Sequence, residues 1–396
     1  MIKRVVFVPQ GKFTRRDYQR FGIELLRGNG FSVEIWDMTS FLYPEFATAS
    51  AASNILDRSE LIAFSDKKAA CNRLSGLSES DFVIMLVPYM YESLWIYKAL
   101  SKSSAAYAAY CANALPIFKD GVDGTAMKIL HYLNTKPMAL VKHLVMRLPF
   151  LFVGVKPVNL ILAGGNKCLQ YNYPTGRNTE ILWVHSLDYD IYLQEKDKPD
   201  EKRNIAVFID EFLPLHHEYS MFGIEPPIEA GKYYALLARF FDLVEKETGH
   251  EVVIAECPEA NYEELPDYFK RRKRLKGQTA NLVKQSKLVL GHYSTALSFA
   301  NLFRKPVIFM TCADFYGKFE YYQIPEMAKW FGKKPVFIDS EDNIDWKFEL
   351  TVSDEHYDRY RKAYIKTDDS QDLFFWQVVA NKIKNWGTAD GLLSRK

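Results

Sequence analysis

"SKLVLGHYSTALSFANLFRKPVIFM", residues 286–310, decides the fold. An apolar run over 287–291 leads directly into His292, Ser294 and Thr295, a helical pattern follows, and a second apolar run extends from Pro306 to Met310. Short apolar runs bounded by turn residues, with a helical stretch between them, are the signature of a βαβ unit in a parallel sheet. Open parallel sheets bind ligands beyond the carboxyl ends of their strands, against the N-termini of the helices that follow. His292, Ser294 and Thr295 stand at that place. Unpaired backbone N–H groups and hydroxyls at a helix start suit a phosphate or a carboxylate. A plain cap, worth about 1 kcal/mol, explains Ser294 or Thr295 equally well.

The same alternation runs outward in both directions. Toward the N-terminus, 4–10, 31–37, 81–89 and 105–116 read as strands, and 16–30 reads as a helix stopped by Gly28 and Gly30. The segment 125–167 breaks the rhythm: it is rich in Leu, Val and Phe and punctuated by Lys and Arg. It is either a buried helical pair or an amphipathic surface lying on a membrane. Residues 181–193 read as a strand and loop, and the charged stretch 194–204 as a linker. Beyond it, strands at 205–211, 250–258 and 334–339 and helices at 231–249 and 279–287 form a second alternation. The expected fold class is therefore α/β, with two doubly wound Rossmann-type domains over 1–195 and 196–366. A C-terminal helix within 367–396 is placed to cross back onto the first domain.

Composition narrows the function. The 396 residues include 51 basic and 49 acidic ones, a net charge of +2 that gives no global field for nucleic acid. Five cysteines without metal-ligand spacing read as reduced thiols, which fits the cytoplasm. The N-terminal apolar run is too short for a signal peptide, and no stretch reaches the roughly 18 apolar residues of a spanning helix. No P-loop, GxSxG or Cys/His nucleophile pattern is present, which argues against an ATPase or a hydrolase.

Residues 276–311 carry a resemblance. Lys276-Gly277-Gln278-Thr279 at a helix start, the strand "KLVLG", His292-Tyr293-Ser294-Thr295-Ala296 and Lys305-Pro306 resemble the nucleotide-binding region of bacterial surface-polysaccharide glycosyltransferases of GT-B fold. These are the capsule and lipopolysaccharide enzymes, distantly like polysialyltransferases and bacterial sialyltransferases. Weaker similarity covers 96–116, 185–193 and 208–219. The resemblance implies that the second domain binds a nucleotide sugar, with CMP or UDP as the nucleotide and no obligatory metal or further cofactor. It implies that the first domain binds an oligosaccharide or lipid-linked glycan. It also implies a cytoplasmic location, with peripheral contact at the inner membrane. One departure stands out: Cys257-Pro258 replaces the His-Pro common after the corresponding strand. A thiol is a weak donor and no substitute for an imidazolium. A sugar-nucleotide epimerase of the same fold and a catalytically silent pathway partner therefore remain alternatives.

Glycosyl transfer needs groups for the departing phosphate and a base for the acceptor proton. For the phosphate the candidates are His292, Ser294, Thr295, Thr279, Lys276 and Arg272, with Cys257 and His216 beside them. Solvated surface is the competing reading of the basic run 270–277. For the base they are Asp188 and Asp190 near the linker, and Asp210 and Glu211 at the end of the first strand of the second domain. Glu92 has the same strand-end position. Asp120 and Asp123 are next to glycines, where a turn is the simpler explanation. His216, His217 and Glu218 are adjacent and lack metal-site spacing.

Overall fold

A computed structural model of the chain describes residues 1–43, 58–118, 142, 144–170, 173–199, 201–216, 219, 224–340 and 344–387. Asp120, Asp123, His217 and Glu218 lie outside the described residues. The described strands form two all-parallel sheets, each flanked by helices, which is a GT-B-like α/β architecture. The first sheet has the order β3-β2-β1-β4-β5-β6-β7. Its strands are β1 (Arg4–Val8), β2 (Ser32–Asp37), β3 (Leu61–Ala63), β4 (Asp81–Met85), β5 (Ala106–Tyr110), β6 (Val158–Ala163) and β7 (Thr175–Trp183). The second runs β10-β9-β8-β11-β12-β13, with β8 (Ile205–Ile209), β9 (Glu251–Glu256), β10 (Arg274–Lys276), β11 (Leu288–Gly291), β12 (Val307–Thr311) and β13 (Val336–Phe337). Strand order reverses between β1 and β4 and again between β8 and β11. Those two crevices are where this topology leaves room for a ligand.

Helices α1 (Arg15–Arg20), α2 (Ile23–Gly28), α3 (Thr39–Leu42), α4 (Lys67–Ser75), α5 (Leu94–Ser101) and α6 (Leu187–Glu195) belong to the first half. A capping box opens α1: the Thr14 hydroxyl accepts from the Asp17 amide, and the Asp17 carboxylate accepts from the Thr14 amide. In the second half the long helix α7 (Ala230–Thr248) buries Tyr233, Tyr234, Leu237, Phe240, Phe241 and Val244 along one face. The Glu229 carboxylate caps its start, and Gly249 ends it with a left-handed φ of 68°. Then come α8 (Thr279–Gln285), α9 (Leu297–Leu302), α10 (Phe319–Trp330), α11 (Trp346–Glu349), α12 (Asp354–Tyr360) and α13 (Phe375–Lys384).

The structure corrects three local expectations. The segment 125–167 supplies β6, because the apolar run Val158–Ala163 is framed by Pro157 and Gly164 and is buried within the sheet. Residues 187–195 form helix α6, with Ser186 extended at its cap position and Asp188 and Asp190 in the first turn. The stretch after α6 is also pinned: buried Lys284 donates to the carbonyls of Glu195 (2.6 Å) and Lys198 (2.5 Å).

Helix α13 packs on α2 and on the first sheet. Trp376 is buried against Phe7 and Phe21, with ring centroids 5.1 and 6.0 Å apart. Its Nε1 donates to the Arg20 carbonyl at 3.1 Å. Gly22 makes room for the indole: a Cβ there, already at a φ of 59°, would come within 2.6 Å of the ring. Trp376→Ala is expected to cost about 3–5 kcal/mol, measured as a lower urea midpoint. An unchanged midpoint would show that α13 adds nothing to the first domain.

Candidate active site

The reversal between β8 and β11 places the residues after β8 beside the turn after β11. The Glu211 carboxylate accepts from the backbone amides of His292 (3.1 Å) and Tyr293 (2.9 Å), both on Oε1. The half-buried Glu211 is thus clamped to the turn. Desolvation pushes its carboxyl up to about 8; the two amides oppose that push, and the Asp210 and Glu320 charges add to it. Ser294 and Thr295 are partly exposed next to it. The Ser294 hydroxyl accepts from the Ala296 amide at 3.3 Å, and the Thr295 hydroxyl bonds to none of the described residues. Neither is the cap of α9, which begins after Ala296.

His292 has a different duty from the phosphate contact expected of it. Its ring is 0% exposed. Nδ1 lies 2.7 Å from the Met310 carbonyl, an acceptor only, so Nδ1 carries the proton. Nε2 therefore accepts from the Tyr233 hydroxyl at 3.0 Å. Burial lowers the ring to about 4 and keeps it neutral. Only the backbone amide of His292 takes part in the clamp, through its bond to Glu211.

The other candidates are spread around this turn. Asp210 is buried; its carboxylate accepts from the amides of Phe212 (2.9 Å) and Cys257 (3.1 Å) and from the Tyr262 hydroxyl (2.9 Å). Desolvation raises it to about 6 against those bonds. It ties β8 to β9 and is not free to serve as a base. The buried Cys257 thiol is pushed up to about 12, mainly by desolvation, and stays protonated. His216 Nε2 is 3.5 Å from Glu259 Oε2. Thr279 is the first residue of α8. Lys276 donates its Nζ to the Ala260 carbonyl at 2.6 Å. Arg272 is bound by Asp242 (2.5 Å) and Glu245 (2.8 Å) beneath α7, which accounts for it as a structural cation. Asp190 accepts from the Phe375 amide at 2.8 Å and so caps α13. Glu92 pairs with Lys142 at 2.7 Å.

Across the crevice, α1 presents Arg16 and Arg20. Arg20 pairs with Asp188, which is buried and has one carboxylate oxygen without a hydrogen-bond partner among the described residues. Burial raises the Asp188 carboxyl, and the two arginines pull it back. Arg16 feels Asp188 from its own domain and Glu259 from the other. Contacts among the described residues join the domains beside this crevice. The Tyr293 hydroxyl donates to the Pro116 carbonyl (2.6 Å), and the Phe118 amide donates to the Gln323 side chain (2.9 Å). The Phe118 and Tyr322 rings stack at 5.3 Å. Sequence reading missed Arg16, Arg20 and Tyr293. The i, i+4 spacing of the two arginines on a helix that follows β1 is the signal that was available. Among the described residues no group of three or more His, Cys, Asp or Glu could hold a metal ion, and no helix is long and apolar enough to cross a membrane.

No protein-family model matches the chain, and no curated protein matches it. Among solved structures it is similar to the wall teichoic acid polymerase TagF, with TM-score 0.50 and 13% identity over 97% of this chain and 89% of that one. It also aligns with MurG of Acinetobacter baumannii (TM-score 0.47, 9% identity, 97% and 99% covered). A third alignment is with a UDP-GlcNAc 2-epimerase of Methanocaldococcus jannaschii (0.42, 10%, 90% and 98%). At these identities the likeness to TagF is one of fold.

The clamp makes a prediction through linkage. Below the ordinary carboxylate value, about 4.3, folded and unfolded chains both carry the Glu211 proton. From there to about 8 only the unfolded chain releases it, so stability falls across that window. Glu211→Gln keeps an oxygen acceptor for both amides and removes the titration. Its melting temperature relative to wild type should therefore be higher at pH 8 than at pH 4.5. A difference that does not change with pH would contradict the raised carboxyl.

Proposed function

We propose that this chain is a glycosyltransferase that moves a sugar from a nucleotide-sugar donor to a glycan or lipid-linked acceptor in surface-polysaccharide assembly. One observation carries the reading: a half-buried carboxyl with a raised pKa is fixed by two backbone amides to a partly exposed Ser-Thr turn, at the strand-order reversal of the second sheet. In this reading the hydroxyls of Ser294 and Thr295 hold the donor phosphate, with CMP or UDP as the nucleotide. Glu211 takes the proton of the acceptor hydroxyl as its oxygen bonds to the anomeric carbon and the bond from that carbon to the phosphate oxygen breaks, the nucleotide leaving with the electron pair. The acceptor lies on the first-domain wall, toward Arg16 and Arg20. Asp188, Asp190 and Asp210 position the walls.

The test is a thermal-shift panel of CMP, UDP, GDP and their sugar conjugates, run on wild type and on Ser294→Ala/Thr295→Ala. A nucleotide at a hundred times its Kd should stabilise wild type by about 2.7 kcal/mol and the double variant much less. No stabilisation by any nucleotide at millimolar concentration would overturn the reading. With the donor named, transfer should rise with pH to a plateau above about 8. Glu211→Gln should lower it on the order of 100-fold or more. A donor sugar altered in the absence of any acceptor would favour the epimerase.

A further inference from the structure

The carboxyl end of the first sheet gathers polar side chains that the proposed transfer step leaves unused. Arg16 and Arg20 stand on α1, which follows β1; Asp188 stands in the first turn of α6, which follows β7; and Tyr110 ends β5. Arg20 is engaged with Asp188 at 2.5 Å, and the Tyr110 phenol feels both charges. Arg20 Nε, Asp188 Oδ2 and the Tyr110 hydroxyl oxygen are buried and have no hydrogen-bond partner among the described residues. Buried polar atoms are normally satisfied by protein or by ordered water, so such a group marks a spot that something polar fills.

Arg16 is the member of this group with nothing to hold. It is exposed and makes no hydrogen bond or ion pair with a described residue. The carboxylates it senses are engaged elsewhere: Asp17 in the capping box with Thr14, Asp188 with Arg20, and Glu259, on the second domain, near His216 at 3.5 Å. Desolvation by the crevice walls pulls the Arg16 pKa down, the Arg20 charge adds to that, and the three carboxylates oppose it. The side chain remains a cation throughout. Within the set of Arg16, Arg20 and Asp188, two guanidiniums meet one carboxylate, which leaves a positive charge on this wall. A guanidinium presents parallel N–H donors that fit the oxygens of a carboxylate or a phosphate, and partial desolvation strengthens that attraction.

We propose that the acceptor substrate carries an oxyanion, a sugar carboxylate or a phosphate ester, and that Arg16 binds it while Asp188 holds Arg20 alongside. The inference rests on the reading that the first-domain wall receives the acceptor. It adds the charge class of that acceptor, which neither the fold nor the donor determines. Arg16 makes and breaks no covalent bond; its part is binding and orientation.

The test uses simple sugars as probes of charge and leaves the donor out. Glucuronate, glucose-6-phosphate and glucose are titrated into the intact chain carrying Ser294→Ala/Thr295→Ala, which lacks the hydroxyls proposed for the donor phosphate. One or both anionic sugars should bind, and glucose should not. Tighter binding of glucuronate assigns a carboxylate, and tighter binding of glucose-6-phosphate assigns a phosphate ester. Arg16→Gln should weaken the anion about tenfold or more at an unchanged melting temperature. Arg16→Lys, which keeps the charge and loses the fork, should weaken it less. Failure of both anions to bind, equal binding of glucose, or anion binding that survives Arg16→Gln would overturn the inference. Nucleotide binding at the turn after β11 is read in a separate titration, so failure of the donor reading and failure of this one are told apart.

Discussion

The turn after β11 is held by three other elements, β8, β12 and α7, and the site depends on that constraint. Glu211 reaches from the end of β8 to two of its amides. The His292 ring then ties the turn to β12 through the Met310 carbonyl and to α7 through Tyr233. The Met310 carbonyl can only accept, so it fixes the proton of His292 on Nδ1, and the Tyr233 hydroxyl takes the donor role toward Nε2. The low dielectric that strengthens these bonds also raises the Glu211 carboxyl toward neutrality. The same clamp therefore sets the geometry and the proton chemistry of the crevice.

Placement of that turn relative to the first domain comes from contacts of another kind. Tyr293, one residue past His292, sends its hydroxyl to the Pro116 carbonyl. Phe118 is bonded and stacked on α10. On the far side, Gly165 comes so close to the backbone of Ala363 that a Cβ would lie 2.2 Å from it. The Ser186 amide donates to the Ile365 carbonyl at 2.7 Å. Backbone held against backbone leaves little freedom at that end of the interface, while the crevice end is held by side chains.

How much of this was legible in the sequence varied with the range of the interactions. The alternation of apolar runs and helical patterns marked most of the sheet strands, because burial on both faces writes a continuous apolar stretch. The segment before Gly164 did not separate into strand and surface, since Leu, Val and Phe serve both and only neighbours decide which face they fill. The positions after β8 and β11 were readable as strand ends facing a crevice. Their division of labour was not: His292 and Ser294 are two residues apart, yet one ring is sealed between Tyr233 and Met310 and the other side chain lies at the surface. Arg272 illustrates the same limit, because Asp242 and Glu245 that hold it come from a helix 27 or more residues away in sequence.

The account's central claim is that the turn after β11 receives the donor phosphate. Hydrogen–deuterium exchange of the full chain, with and without a saturating nucleotide, reads that turn directly. The account predicts slower exchange on nucleotide binding in the peptides covering 291–298, while those covering Arg272 remain unchanged. Nucleotide binding that leaves 291–298 unprotected, or that protects the Arg272 region in its place, would contradict it.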